Sequence, residues 1–254
     1  MRADKYGMTI QAASSSLPCP LAQHFDAAIF DMDGVLVEST HFWKQAEREV
    51  FSRVDIHITE QMSKATESMT TAEAAAYWYR FRPWSDPGLR DMEQAVVRRV
   101  AELVSLAGFI LPGVQDTLDA CRRLAWKTAL ASNSPRELCM HVLSTLQLTH
   151  DWDAIVSAED VSRGKPAADI FLHTAKLLGA PAARCLVFED SPSGVRAARE
   201  AGMTVIAVCP LEPLGDELQH SPQLHVSSLA AFHSMYLNHV PVGQDRTQHP
   251  PTAR

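Results

Sequence analysis

The sequence predicts an α/β fold, a Rossmann-like doubly wound parallel sheet carrying a small helical cap domain after its first strand. Three observations over its 254 residues predict it. Short apolar runs alternate with helical patterns, as buried parallel strands and their crossover helices require. Polar residues gather where those runs stop. One long stretch carries helical spacing with no strand-like run at all.

The first apolar run, Ala27 to Phe30, stops at acidic Asp31. Thr128 to Ala131 stops at Ser132, and Ala154 to Val156, Cys185 to Phe188 and Thr204 to Val208 complete the set. Each is too short for a helix and is followed by a turn signal. Ser134-Pro135-Arg136-Glu137 has the form of a capping box opening a helix that runs through Leu146. A second helix is predicted from Pro166 to Gly179, and a third from Ser193 to Ala201 closing at Gly202. Residues 39–106 form the insertion, with Val96, Val97, Val100, Leu103 and Val104 at helical spacing and Pro83, Pro87 and Gly88 marking a break. The predicted organisation is a catalytic core over 24–38 and 107–236, a cap over 39–106, a flexible leader over 1–23 and a disordered tail over 237–254.

Composition narrows the function. Hydrophobic residues make up 46%, charged residues 21%, and net charge is −7, so nothing draws the chain to nucleic acid or an anionic membrane. An anionic substrate needs local cations or a metal. No apolar stretch approaches the roughly 18 residues of a membrane span, and no basic start with an apolar run marks a secretory signal. The cytoplasm is therefore the expected compartment. Cys19, Cys121, Cys139, Cys185 and Cys209 are scattered and odd in number, which reads as reduced thiols.

Chemistry concentrates at the ends of the predicted strands. Asp31-Met32-Asp33-Gly34 places two carboxylates on one glycine turn, where mutual repulsion favours a divalent cation on one and a proton on the other. Nucleophile and general acid suit that division. Alone, the motif is equally a solvated turn. Ser132 stands before a helix, Lys165-Pro166 follows a turn, and Glu189-Asp190 closes a buried strand, where adjacent acids are costly unless paired or bound to a cation. Four such elements in order are far more specific than any one.

Phe30-Asp31-Met32-Asp33-Gly34-Val35-Leu36, Ser132, Lys165-Pro166 and Glu189-Asp190-Ser191 together resemble the haloacid dehalogenase superfamily, over about residues 25 to 236. The likeness is to the branch holding hexitol and 2-deoxyglucose-6-phosphate phosphatases and beta-phosphoglucomutase. It implies Asp31 as nucleophile, Asp33 as general acid and then base, and Ser132, Asn133 and Lys165 as further phosphate contacts. It also implies magnesium on the Asp31 carboxylate, the Asp33 carbonyl, Asp190 and Glu189. The implied reaction is hydrolysis of a small phosphorylated metabolite, a sugar or sugar-alcohol phosphate, through an aspartyl-phosphate, by a monomer or weak dimer. A phosphoglucomutase is the alternative.

Two departures bear on that alternative. Where mutases of the branch carry a histidine on the first cap helix this chain has Trp43, and where they carry a cap arginine it has Thr70; the sugar phosphatases of the branch share that arginine, preceded two residues earlier by a glycine where this chain has Ser68. Tyr77, Trp78, Tyr79, Phe81 and Trp84 are expected to build cap core, with one or two facing the cleft. Arg80 and Arg82 read equally as anion contacts or a solvated face, and His41 as a surface or packing residue.

Overall fold

The computed structural model describes residues 24–67, 69–208 and 224–237; the predicted leader and tail, Ser68, Cys19 and Cys209 lie outside them. Six parallel strands form one sheet: β1 (Ala27–Phe30), β2 (Lys127–Ser132), β3 (Ala154–Ser157), β4 (Cys185–Glu189), β5 (Thr204–Val208) and β6 (Leu224–Val226). Their order is β3-β2-β1-β4-β5-β6, so the chain winds outward from β1 in one direction and then returns to its other side. Such a reversal opens a crevice at the carboxyl ends of the strands. Register brings the exits into line, with Phe30 opposite both Leu130 and Phe188.

Strand alternation divides the core. Ala28, Phe30, Leu130, Leu186, Phe188 and Ile206 face one side and pack with Leu118 of α5 (Val114–Arg123), Val142 of α6 (Arg136–Thr145) and Phe232 of α9 (Leu229–Phe232). Ala27, Ile29, Ala129, Ala131, Val187 and Val205 face the other, against Phe171 of α7 (Asp169–Leu178) and Ala198 of α8 (Pro192–Glu200). Alanines on that second face let its helices approach closely.

Between β1 and α5 lie α1 (Thr40–Phe51), α2 (Glu60–Ser63), α3 (Thr71–Phe81) and α4 (Leu89–Ala107). They share an apolar interior of Phe42, Phe51, Trp78, Met92, Val96 and Val100. Of the aromatic cluster, Trp78 is fully buried, Tyr77 and Trp84 pack at the margin, and Tyr79 and Phe81 are exposed. Arg80 is exposed, and Arg82 donates to the Asp55 carbonyl at 2.5 Å. His41 is exposed beside Glu38.

Helix entries depart from expectation. Helix α6 begins at Arg136 without a side-chain cap, because the Ser134 hydroxyl is drawn to Asp33; Glu159 instead accepts from the Arg136 N–H at 2.9 Å. Helix α7 starts at Asp169 rather than Pro166, and α8 starts at Pro192, capped by the Ser191 hydroxyl, and ends at Glu200. Strand β6 was not expected.

Candidate active site

Three strand exits, β2, β1 and β4, set Ser132, Asp31 and Glu189 on one rim. The Asp31 N–H donates to the Phe188 carbonyl at 2.9 Å, which carries the ladder one step past β1 and holds the Asp31 backbone rigidly. Lys165 enters from the loop between β3 and α7. Its Nζ donates to Asp31 Oδ1 at 2.6 Å and to Glu189 Oε1 at 2.5 Å, with the side chain only 4% exposed. Glu189 is fully buried; its Oε2 accepts from the Ser191 N–H at 3.1 Å and the Ser191 hydroxyl at 3.0 Å.

Close approach of backbone makes this packing possible. Gly34 sits at φ +76°, and a Cβ there would fall 1.9 Å from Asp190 Oδ2. At Gly194, near the start of α8, a Cβ would fall 1.8 Å from Glu189 Oε1. Asp31, Glu189 and Asp190 thereby bring carboxylate oxygens within 4.8 Å of one another.

Such crowding distorts the titrations. Burial pushes the Asp31 carboxyl up to about 7; Lys165 opposes this, while Glu189 and Asp33 add to it. Burial also raises Asp190 well above the ordinary carboxylate range, with Glu189 and Asp31 reinforcing. Burial alone would lower the Lys165 ammonium, yet Asp31 and Glu189 outweigh it and hold it above its usual range. One ammonium faces a surplus of negative charge. Hard oxygen donors in surplus are a donor set that fits a divalent cation such as magnesium.

Asp33 stands beside this cluster. Its Oδ1 accepts from the Ser39 hydroxyl and from the Trp43 indole Nε1 at 2.9 Å, and its Oδ2 from the Ser134 hydroxyl at 3.0 Å. Ser132 Oγ accepts from the Ser134 N–H at 3.1 Å, which leaves its own proton to donate. The Asn133 side chain turns from the rim: it accepts from the Lys165 N–H at 2.8 Å and donates to the Lys165 carbonyl at 3.1 Å. Asn133 thus clamps the loop that delivers Lys165. Asp31, Asp33, Ser132, Lys165, Glu189 and Asp190 meet at one rim, whereas Asn133, expected as a phosphate contact, spends its side chain on the Lys165 backbone. The contacts of Ser39, Trp43, Ser134, Ser191 and Gly194 are additions; a serine beside a helix entry or an acidic pair is the signal that could have found Ser134 and Ser191.

This rim, on this sheet, is that of a known hydrolase architecture. The family model of the haloacid dehalogenase-like hydrolases matches residues 25–202, and the chain belongs to that family. Hexitol phosphatase B of Escherichia coli (strain K12) is 31% identical over 204 residues, covering 80% of this chain and 92% of its own. Fructose-1-phosphate phosphatase YqaB of the same strain is 30% identical over 187 residues, 73% of this chain and 97% of that protein. The solved structure of beta-phosphoglucomutase from Clostridium difficile shares the fold, with TM-score 0.71 at 24% identity over 84% of this chain and 97% of its own. The chain is an enzyme of the hydrolase class. Among the described residues, no helix is long and apolar enough to cross a membrane.

Proposed function

We propose that this enzyme is a magnesium-dependent cytoplasmic phosphatase that hydrolyses the monophosphate of a sugar or sugar alcohol through a phosphorylated Asp31. One observation carries the reading: a buried nucleophile-grade carboxylate paired to a buried lysine, beside a second carboxylate held by three donors. The hexitol and fructose phosphatases at 30% identity or above support the substrate class.

Asp31 attacks phosphorus in line, forming the aspartyl phosphate, a mixed anhydride, as the bond to the sugar oxygen breaks. Lys165 and the Ser132 hydroxyl meet the equatorial phosphoryl oxygens. Asp33 gives a proton to the departing sugar oxygen, then takes one from the water that reopens the aspartyl bond and releases phosphate. Asp31, Asp190, the Asp33 carbonyl and the remaining lone pair of Glu189 would hold magnesium, which supplies positive charge to the phosphoryl oxygens and to Asp31.

Residues 39–106 act in this proposal as a cap, since the Thr70 methyl lies 3.2 Å from the position a Gly164 Cβ would take, next to Lys165. That cap offers little to a second phosphate. Thr70 gives its N–H and hydroxyl to Glu73 in a capping box. A substrate with one phosphate and a neutral far end fits best. The test is a phosphate-release panel of hexitol, hexose and 2-deoxyhexose phosphates with magnesium. Turnover unaffected by EDTA, or no phosphate from any sugar ester, would overturn the proposal.

A further inference from the structure

Asp33 must place one oxygen toward the reactants, and its partners decide which. A carboxylate offers about four lone-pair positions. On Oδ1 two donors converge: the Ser39 hydroxyl, fully buried just before α1, and the Trp43 indole N–H at 2.9 Å, one turn into that helix. On Oδ2 only Ser134 donates, at 3.0 Å. The two kinds of donor differ in kind as well as number. A serine hydroxyl rotates and can accept as readily as it donates, whereas an indole N–H only donates and is fixed by the plane of its ring. Oδ1 therefore stays an acceptor as long as the indole is there.

We infer that Trp43 is a positioning residue: with Ser39 it occupies Asp33 Oδ1 and leaves Oδ2 as the oxygen that exchanges protons with the sugar oxygen and with water. The inference rests on the acid–base reading of Asp33 proposed above. It gives Trp43 a task beyond packing, since the indole belongs to α1 of the helical insertion while Asp33 belongs to the loop after β1. Orientation of the acid–base group thus depends on how α1 is seated.

The test compares Trp43→Phe, which keeps a ring without the donor, with Trp43→His, whose Nε2 occupies the same place in a five-membered ring as the indole nitrogen. Glucitol 6-phosphate and p-nitrophenyl phosphate serve as probes at saturating magnesium. Misplacing a reacting group costs up to about 10²-fold, so Trp43→Phe should lower kcat on glucitol 6-phosphate by about 10–100-fold with little change in KM. The first-turnover burst of p-nitrophenol, whose leaving group needs little protonation, should fall less. Trp43→His should recover most of the loss. Parental kcat in Trp43→Phe, or a histidine variant as slow as the phenylalanine one, overturns the inference.

Asp33→Asn separates the two layers of the argument. Full activity there removes the acid–base reading itself, while an inactive Asp33→Asn beside an unaffected Trp43→Phe removes only the role of the indole. A second measurement holds even if Trp43→Phe fails to fold. The indole 1H–15N resonance missing from Trp43→His should move in Asp33→Asn, and an unmoved resonance overturns the contact.

Discussion

Asp31 and Lys165 illustrate how burial converts two ordinary side chains into a reactive pair. Each is nearly water-free, so the ion pair at 2.6 Å is held by its surroundings rather than by solvent. Replacing Asp31 with Asn should remove the proposed nucleophile while keeping the shape, lowering turnover on the order of 10⁴-fold or more. Circular dichroism should not change, and trapping by beryllofluoride should be lost; wild-type-like turnover would remove Asp31 from the mechanism. A second expectation follows from the Asp31 carboxyl near 7. In the metal-free protein this pKa lies above the unfolded value of about 3.9. The folded state therefore binds the proton more tightly, and this group's contribution to stability falls as pH rises from about 4 to 7. A cation needs the ionised form, so its binding expels that proton. Apparent magnesium affinity should therefore weaken as pH is lowered from 8 to 6, with the raised Asp190 carboxyl adding to the dependence. Calorimetric titrations at pH 6, 7 and 8 check this, and a constant affinity would contradict it.

At the scale of elements, helix α8 shows local preference giving way to site geometry. Alanine in place of Gly194 should favour an isolated helix by about 1 kcal/mol. Here its Cβ would lie 1.8 Å from Glu189 Oε1, and the carboxylate would have to leave Lys165. Gly194→Ala should therefore lower kcat/KM by about 10²-fold and reduce the melting temperature, as steady-state kinetics and thermal denaturation would show. Unchanged kinetics would mean that Glu189 can move without cost. The same competition explains what the sequence reveals. Ala27–Phe30 and Thr204–Val208 are legible to the residue, since continuous apolar runs bounded by turns have one reading. The remaining predicted strands each extend by a residue or two, because ladder pairing continues into polar Lys127, Ser132, Ser157 and Glu189. Strand β6, only Leu224-His225-Val226, is too short for a pattern and exists by pairing with β5. Ser134 has the local form of a helix cap, and only the distant Asp33 claims its hydroxyl. The residues of the site itself were legible because acids at buried strand ends are costly without a function; their partners Ser39 and Trp43 were hidden in a different element.

For the molecule as a whole, the choice between hydrolysis and isomerisation in the proposed reaction depends on what the helical insertion admits to a phosphorylated Asp31. Thr70 is self-satisfied by Glu73 and the Trp43 indole is committed to Asp33, so neither holds a second phosphorylated sugar against water. Given beta-glucose 1-phosphate with a trace of the 1,6-bisphosphate, the enzyme should release free phosphate stoichiometrically. Glucose 6-phosphate appearing much faster than phosphate would reverse that conclusion. The strand order carries a consequence for biosynthesis. β1 is made first, yet its neighbours in the sheet are β2 and β4, and Phe30 meets Phe188 only after about 160 further residues have been added. At ribosomal speeds of roughly 5–20 residues per second, that interval is about 8–30 s. For the first part of it, until β2 is made, the strand leading to Asp31 is an apolar ribbon with neither partner, and until β4 is made one of its edges stays unpaired. The carboxylate proposed as nucleophile is thus synthesised well before the strand that completes its burial.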